Sequence, residues 1–137
     1  MAIRVVRLGT PRVAGEGIRL GTVRRPPRGV PKRDFARRDF YDVWLPELAP
    51  SAPTVSWALS EPWTPARWRR YERIYLKEMA TPAARHLIEM LAALSQSASF
   101  SVGCYCEDAT HCHRSLLARL LADAGAMMAE ERDTGAG

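Results

Sequence analysis

Apolar positions along the chain switch between a period of two and helical spacing, and the switches predict the elements. Ile3-Arg4-Val5-Val6-Arg7-Leu8 is a β-branched run closed by Gly9-Thr10-Pro11, so it reads as a strand. Gly15 and Gly17 bracket a turn, after which Ile18, Leu20 and Thr22 alternate along a second strand that reaches Val23. From Arg24 to Pro31 the prolines at 26, 27 and 31 remove backbone donors and fix φ, which predicts a stiff, exposed, arginine-bearing loop. Lys32 to Tyr41 is charged and carries no clear period. Asp42 to Ser51 reads as irregular chain whose large apolar side chains pin a loop to the core.

Helical signals follow. Thr64-Pro65 sets a capping hydroxyl before a proline at the first helical position, and Trp68, Tyr71, Ile74, Tyr75 and Met79 then recur at helical spacing. Thr81-Pro82 repeats the start signal, with Leu87, Ile88, Leu91 and Leu94 as the stripe. Ser95 to Ser99 links to a buried strand, Phe100 to Cys106, where period two puts Phe100, Val102, Cys104 and Cys106 on one side. Glu107 to Thr110 turns the chain. With Thr110 as cap, a last helix is expected from near His111, carrying Leu116, Leu117, Leu120, Leu121 and Ala124 and stopping at Gly125. Strands alternating with helices predict a single α/β domain over 1–128, a small and mostly parallel sheet flanked by helices, with 129–137 as a flexible tail.

Composition narrows the class. At 137 residues with 47% hydrophobic positions, the chain suits one globular domain and disorder as a whole is excluded. Three cysteines are too few and odd in number for a disulfide framework, which points to reduced thiols. No apolar run approaches the ~20 residues of a membrane span, and the first residues lack the apolar core of a secretion signal, so a cytoplasmic location is expected. The formal charge of +5 is uneven: residues 1–38 carry 11 bases against 2 acids, and the remainder is net acidic.

The densest chemistry is Cys104-Tyr-Cys106-Glu-Asp-Ala-Thr-His111-Cys112-His113-Arg114, which holds all three cysteines and two of the three histidines. A strand end followed by a helix N-terminus is the usual ligand position of an open α/β sheet. Three functional readings follow, of which the anion site is the expected one and the metal and thiol readings are its alternatives. Zinc or iron held by Cys104, Cys106, Cys112 and one of His111 or His113 would use soft ligands in sufficient number. Alternatively, Cys112 or Cys104 is a low-pKa nucleophile served by His113 and Arg114. Thirdly, the helix start and Arg114 bind an anion such as a phosphate, a nucleotide or a nucleic-acid backbone. Against all three stands plain packing, with buried cysteines, a packed His113, and Arg114 paired to Glu107 or Asp108. His86, mid-helix, reads as a surface or packing residue.

These residues also carry a resemblance. The chain, from about Ile3 to about Ala124, resembles domain-of-unknown-function family 488, the YeaO-like group. The family's cysteine followed by a C-H-R motif is matched by Cys104 and Cys112-His113-Arg114, with an acidic residue often standing at the place of Cys106. Its arginine and P-R-G are matched by Arg24 and Pro27-Arg28-Gly29, and its D-x-W…P-S by Asp42, Trp44, Pro50 and Ser51. Its aromatic–Glu helix is matched by Tyr71, Tyr75 and Glu78; its Asp before the arginine is Val23 here, and its Trp before P-R-G is Pro26. The resemblance implies a small α/β domain of a bacterial cytoplasmic protein and supplies no established activity.

The resemblance further implies that the loop bearing Arg24, Arg25 and Arg28 belongs to the site. Together with Arg114 it would form a pocket for an anionic small molecule or nucleic acid. Lys32, Arg33, Arg37 and Arg38 would extend the patch, with Phe35, Phe40 and Tyr41 as interleaved aromatics able to stack on bases. Solvated charge in an arginine-rich chain is the plain alternative for Lys32–Arg38.

Overall fold

A computed structural model describes residues 1–129; of the expected tail, residues 130–137 lie outside the described residues. Four strands form one sheet in the order β1-β4-β2-β3, all parallel: β1 Ile3–Arg7, β2 Ile18–Gly21, β3 Val43–Trp44 and β4 Phe100–Cys104. Helices α1 (Ala52–Leu59), α2 (Pro65–Glu78) and α3 (Pro82–Leu94) fill the crossover from β3 to β4, and α4 (His113–Asp123) follows β4. The expected α/β class is the one found. Among the described residues no helix is long and apolar enough to cross a membrane.

β4 is the central strand, and every one of its five residues is buried. Ile3, Leu20, Phe100 and Val102 meet Tyr71, Tyr75, Ile88, Leu91, Leu116 and Leu117 in the main core, so the stripes on α2, α3 and α4 close on the sheet. A smaller cluster, Leu8, Val23, Tyr41, Cys104 and Cys112, gathers where β1, β2 and β4 end. Alternation along β2 and β4 places Arg19 beside its register partner Ser101, away from the main core.

Arg19 is fully buried, and its guanidinium binds the Glu16 carboxylate at 2.8 and 3.1 Å and the carbonyls of Thr10 and Asp39 at 2.8 and 2.7 Å. Glu16 also accepts from Ser101 Oγ at 2.8 Å and from the Val13 amide. The backbone of Arg19 donates to Asp42, which also holds Arg12. Tight turns let this network form. Gly17 has a φ of +79°, and a Cβ there would lie 1.9 Å from the Ser99 carbonyl oxygen. At Gly21 a Cβ would meet the Tyr41 ring at 2.3 Å, so only glycine admits that ring against β2.

Several sequence expectations change: Val43–Trp44, in the stretch read as irregular, pairs with β2 as β3, and the last strand ends at Cys104, which leaves Cys106 exposed outside it. The stretch after Ser51 received no element, yet it forms α1. Ser51 caps it, and the Glu78 carboxylate of α2 accepts from the Ser51 amide, the Ser51 hydroxyl and the Thr54 hydroxyl, each at 2.8 Å. Thr64 caps α2 as expected, accepting from the Arg67 amide at 3.1 Å. Thr81, however, turns its hydroxyl back to the Glu78 carbonyl and leaves α3 without a side-chain cap. At the C-terminal side, Ala129 donates to the Ile3 carbonyl and Ile3 donates to that of Met127, so Ala129, the first residue of the expected tail, pairs with β1 at Ile3.

Replacing Glu16 by alanine leaves the Arg19 charge buried without its partner, and a loss of about 3–5 kcal/mol in urea unfolding is expected. Burial raises the Glu16 and Asp42 carboxyl pKa values, but the hydrogen bonds from Arg19 and Ser101 to Glu16, and from Arg12 and the Arg19 amide to Asp42, outweigh it and hold both below their ordinary 4.5 and 3.8. Their contribution is therefore present above those values and lost as pH falls through the lower folded ones. The urea midpoint is expected to hold down to about pH 5 and then drop, with a shallower drop in Glu16→Gln.

Candidate functional site

β4 delivers Cys104 to the C-terminal edge of the sheet, and the chain then turns outward through Tyr105 and Cys106. Residues Ala109–His111 form one 3-10 turn, capped by Asp108, whose carboxylate accepts from the Thr110 amide at 2.9 Å. This corrects the expected helix start. Thr110 is not the cap and His111 is not in the helix; α4 begins at His113 with Cys112 as its extended N-cap residue. The shift matters because an extended Cys112 turns its side chain inward, where it is 1% exposed.

The three sulfurs of Cys104, Cys106 and Cys112 consequently lie within 4.8 Å of one another. Cys104 and Cys112 are buried and Cys106 is exposed. A tetrahedral ion with metal–sulfur bonds near 2.3 Å needs sulfurs about 3.8 Å apart, so small side-chain adjustments close the set on an ion. The close sulfurs also shift one another's acidity. Donation from Cys104 and then from Cys112, aided by the Arg114 charge, draws the Cys106 thiol down to about 3 against the opposing effect of burial. Cys104, donating to Cys106, is pushed up to about 11, and Cys112, donating to both, is raised further.

His113 is buried, and its Nε2 meets the Thr22 carbonyl. A carbonyl only accepts, so Nε2 carries the proton and the Nδ1 lone pair faces Cys112 Sγ, 3.8 Å away. Burial lowers its pKa and keeps the ring neutral. The buried Arg114 guanidinium touches Cys104 Sγ at 3.8 Å and the Val6 carbonyl at 3.5 Å. It supplies a fixed positive charge beside the thiols. The packing alternative had paired Arg114 with Glu107 or Asp108; instead Glu107 meets Arg7 at 3.3 Å and Asp108 holds His111 Nδ1 at 2.9 Å.

Several neighbours carry no sequence signal for the site. Tyr71 on α2 is buried close to the three cysteines, and desolvation first, then their charge, raises its pKa. Tyr75 lies against the His113 ring at 5.6 Å between centroids. His111 stacks on Trp63 at 5.8 Å and meets Trp68 edge-on at 5.3 Å, so an aromatic wall from α2 and the residue before its cap stands beside the cysteine turn. Helical spacing marks Trp68, Tyr71 and Tyr75 as core, and nothing in it says which end of the sheet they reach. His86 is exposed on α3.

The arginine loop is placed differently from the expected pocket. Arg24 donates from Nε to the Pro50 carbonyl at 2.9 Å, and from Nη2 to Pro46 and Ala49 at 3.1 and 3.3 Å. Those donors hold the 46–50 turn and do not converge with Arg114. Arg28 is exposed on the loop. Nor are the aromatics free to stack on bases: Tyr41 is buried, Phe35 meets it edge-on at 5.2 Å, and Phe40 meets Tyr105 at 6.3 Å.

The sequence model of DUF488-N3a, described as the active DUF488-N3 subclade, matches residues 3–125. The chain belongs to the DUF488 family. The DUF488 match spans every strand and helix described above, together with the whole turn from Cys104 to Arg114. Comparison with curated proteins and with solved structures gave no match to set beside DUF488.

Sulfur exposure makes a direct prediction. In folded, chelator-treated protein, iodoacetamide is expected to label Cys106 first, and Cys104 and Cys112 only on unfolding, as read by peptide mass spectrometry. Equal labelling of all three in the folded chain would contradict the burial described.

Proposed function

We propose that this chain is a metal-binding protein whose centre is formed by the thiolates of Cys104, Cys106 and Cys112. The observation that carries the reading is the convergence of three sulfurs from a strand end, a turn and a helix N-cap within 4.8 Å. Three thiolates select a soft or borderline ion such as zinc, or iron, over magnesium or calcium.

Charge supports the same reading. A divalent ion with three thiolates has a net charge of −1, and Arg114 stands against Cys104 to offset it. α4 points its N-terminus, the positive end of its dipole, at the same sulfurs. His113 is held by Thr22 with its Nδ1 lone pair toward Cys112, in the tautomer a ligating or supporting imidazole requires. The three-sulfur set leaves a fourth position, for His113 after a small rotation or for a solvent or substrate donor. A three-ligand set with one open position is the arrangement of catalytic zinc sites.

Metal analysis of protein purified without chelator tests this directly. About one equivalent of zinc or iron per chain is expected, with cobalt substitution giving thiolate-to-metal charge-transfer absorption. Cys106→Ser, exposed and therefore tolerated by the fold, is expected to weaken metal retention at least tenfold. Less than about a tenth of an equivalent, together with no cobalt spectrum, would sink the proposal. In that case the exposure of Cys106 favours a second reading, a thiol-dependent enzyme with Cys106 as the nucleophile and Cys104 and Cys112 as its hydrogen-bond donors.

A further inference from the structure

The segment 24–38 carries seven bases, Arg24, Arg25, Arg28, Lys32, Arg33, Arg37 and Arg38, against one acid, Asp34. The structure divides them by task. Arg24 is spent on carbonyls of the 46–50 turn, and Arg37 pairs with Asp34 at 2.6 Å. Arg25, Arg28, Lys32, Arg33 and Arg38 are exposed and make no ion pair among the described residues.

What distinguishes this patch from ordinary solvated charge is that the backbone under it is fixed. Pro27 is buried between the exposed Arg25 and Arg28. The loop's entry is tied at three successive points: Thr22 carbonyl to His113, Val23 carbonyl to the Trp44 indole at 2.8 Å, and Arg25 carbonyl to the Tyr105 hydroxyl at 2.9 Å. Its exit is tied by Tyr41, buried against Gly21. Two of these ties, His113 and Tyr105, belong to the cysteine turn itself. The cations are therefore held on a rigid ledge joined to the site, and little backbone entropy remains to be lost on binding. Phe35, Phe40 and Tyr41 face inward, so the ledge offers charge without a stacking surface.

We propose that this ledge binds the phosphodiester backbone of nucleic acid, without base readout, and so sets the substrate class of the cysteine site beside it. The inference of a substrate rests on the metal-site reading; the binding itself does not. Five exposed cations spread over one loop segment suit a chain of separate phosphates better than one compact anion. Contacts to phosphates carry no base information, so binding is sequence-independent. The acids nearest the turn, Glu107 and Asp108, are engaged by Arg7 and His111.

Fluorescence anisotropy with a labelled 20-nucleotide single strand, and with the same sequence as a duplex, tests this at several salt concentrations. Three to five phosphate contacts predict a slope of log affinity against log salt of about −2 to −4.5, the steeper end applying to duplex. A variant with Arg25→Ala, Arg28→Ala, Arg33→Ala and Arg38→Ala is expected to reduce the slope by at least about 2, with unchanged thermal unfolding and metal content. Arg85→Ala, an exposed arginine on α3, is expected to change neither. The two arms identify whether single strand or duplex is preferred. No binding to either at 50 mM salt, or the same slope in the fourfold variant, overturns the proposal. Binding by a protein that retains no metal would leave the ledge standing and refute the metal reading alone.

Discussion

Burying Arg19 is the constraint on which the sheet depends. A guanidinium in the interior is tolerated only when its charge is matched and its donors are filled. Here that requirement draws together chain segments that would otherwise have little reason to meet. Glu16 comes from the turn before β2, Ser101 from the central strand, and the carbonyls of Thr10 and Asp39 from two loops. β1 and β2 are not neighbours, because β4 lies between them, and no helix spans the short link that joins them. The ion pair does the positioning that a crossover helix does in larger α/β folds. Hydrophobic packing sets α2, α3 and α4 on the sheet, while polar satisfaction sets the loops, and the two divide the molecule between them.

That division places the cysteine turn. Cys104 and Cys112 belong to the small cluster at the strand ends, packed with Leu8, Val23 and Tyr41, and the Arg19 network holds the Asp39–Asp42 loop on which Tyr41 sits. The sulfurs are thus approached from one side by the helical core through Tyr71 and Tyr75, and from the other by a polar scaffold through Tyr41 and Thr22. Among the described residues, Cys106 is the one of the three cysteines left exposed to solvent.

Periodicity made most of the framework legible. The strands at Ile3, Ile18 and Phe100 and the helices at Pro65 and Pro82 are where alternation and proline-led starts put them. The clustering of cysteines near Arg114 was legible as well, because all the ligand-type residues lie within one strand–turn–helix stretch. The rest was hidden for definite reasons. α1 is a short helix whose start is stabilised by Ser51 together with Glu78, 27 residues distant, and no local pattern reveals such a partner. The start of α4 moved because Asp108 caps a 3-10 turn over Ala109–His111 and holds both the Thr110 amide and hydroxyl, which leaves the α4 N-cap position to Cys112. Arg24 looked like a ligand for an anion, yet the partners it found are neutral backbone carbonyls, which every residue carries and no sequence advertises.

The pairing of residues 127–129 with β1 has one more consequence. An all-parallel sheet ordinarily ends in two rows of unfilled backbone groups, each an invitation to another strand. Here the start of β1, at Ile3, is paired with the chain's own returning segment, and the opposite margin, β3, is two residues long. The same pairing brings the start of the chain and Ala129 side by side, so the described fold is nearly a closed loop. A molecule built this way is a natural candidate for re-opening elsewhere: joining the ends and cutting in an exposed turn would keep every strand neighbour in place.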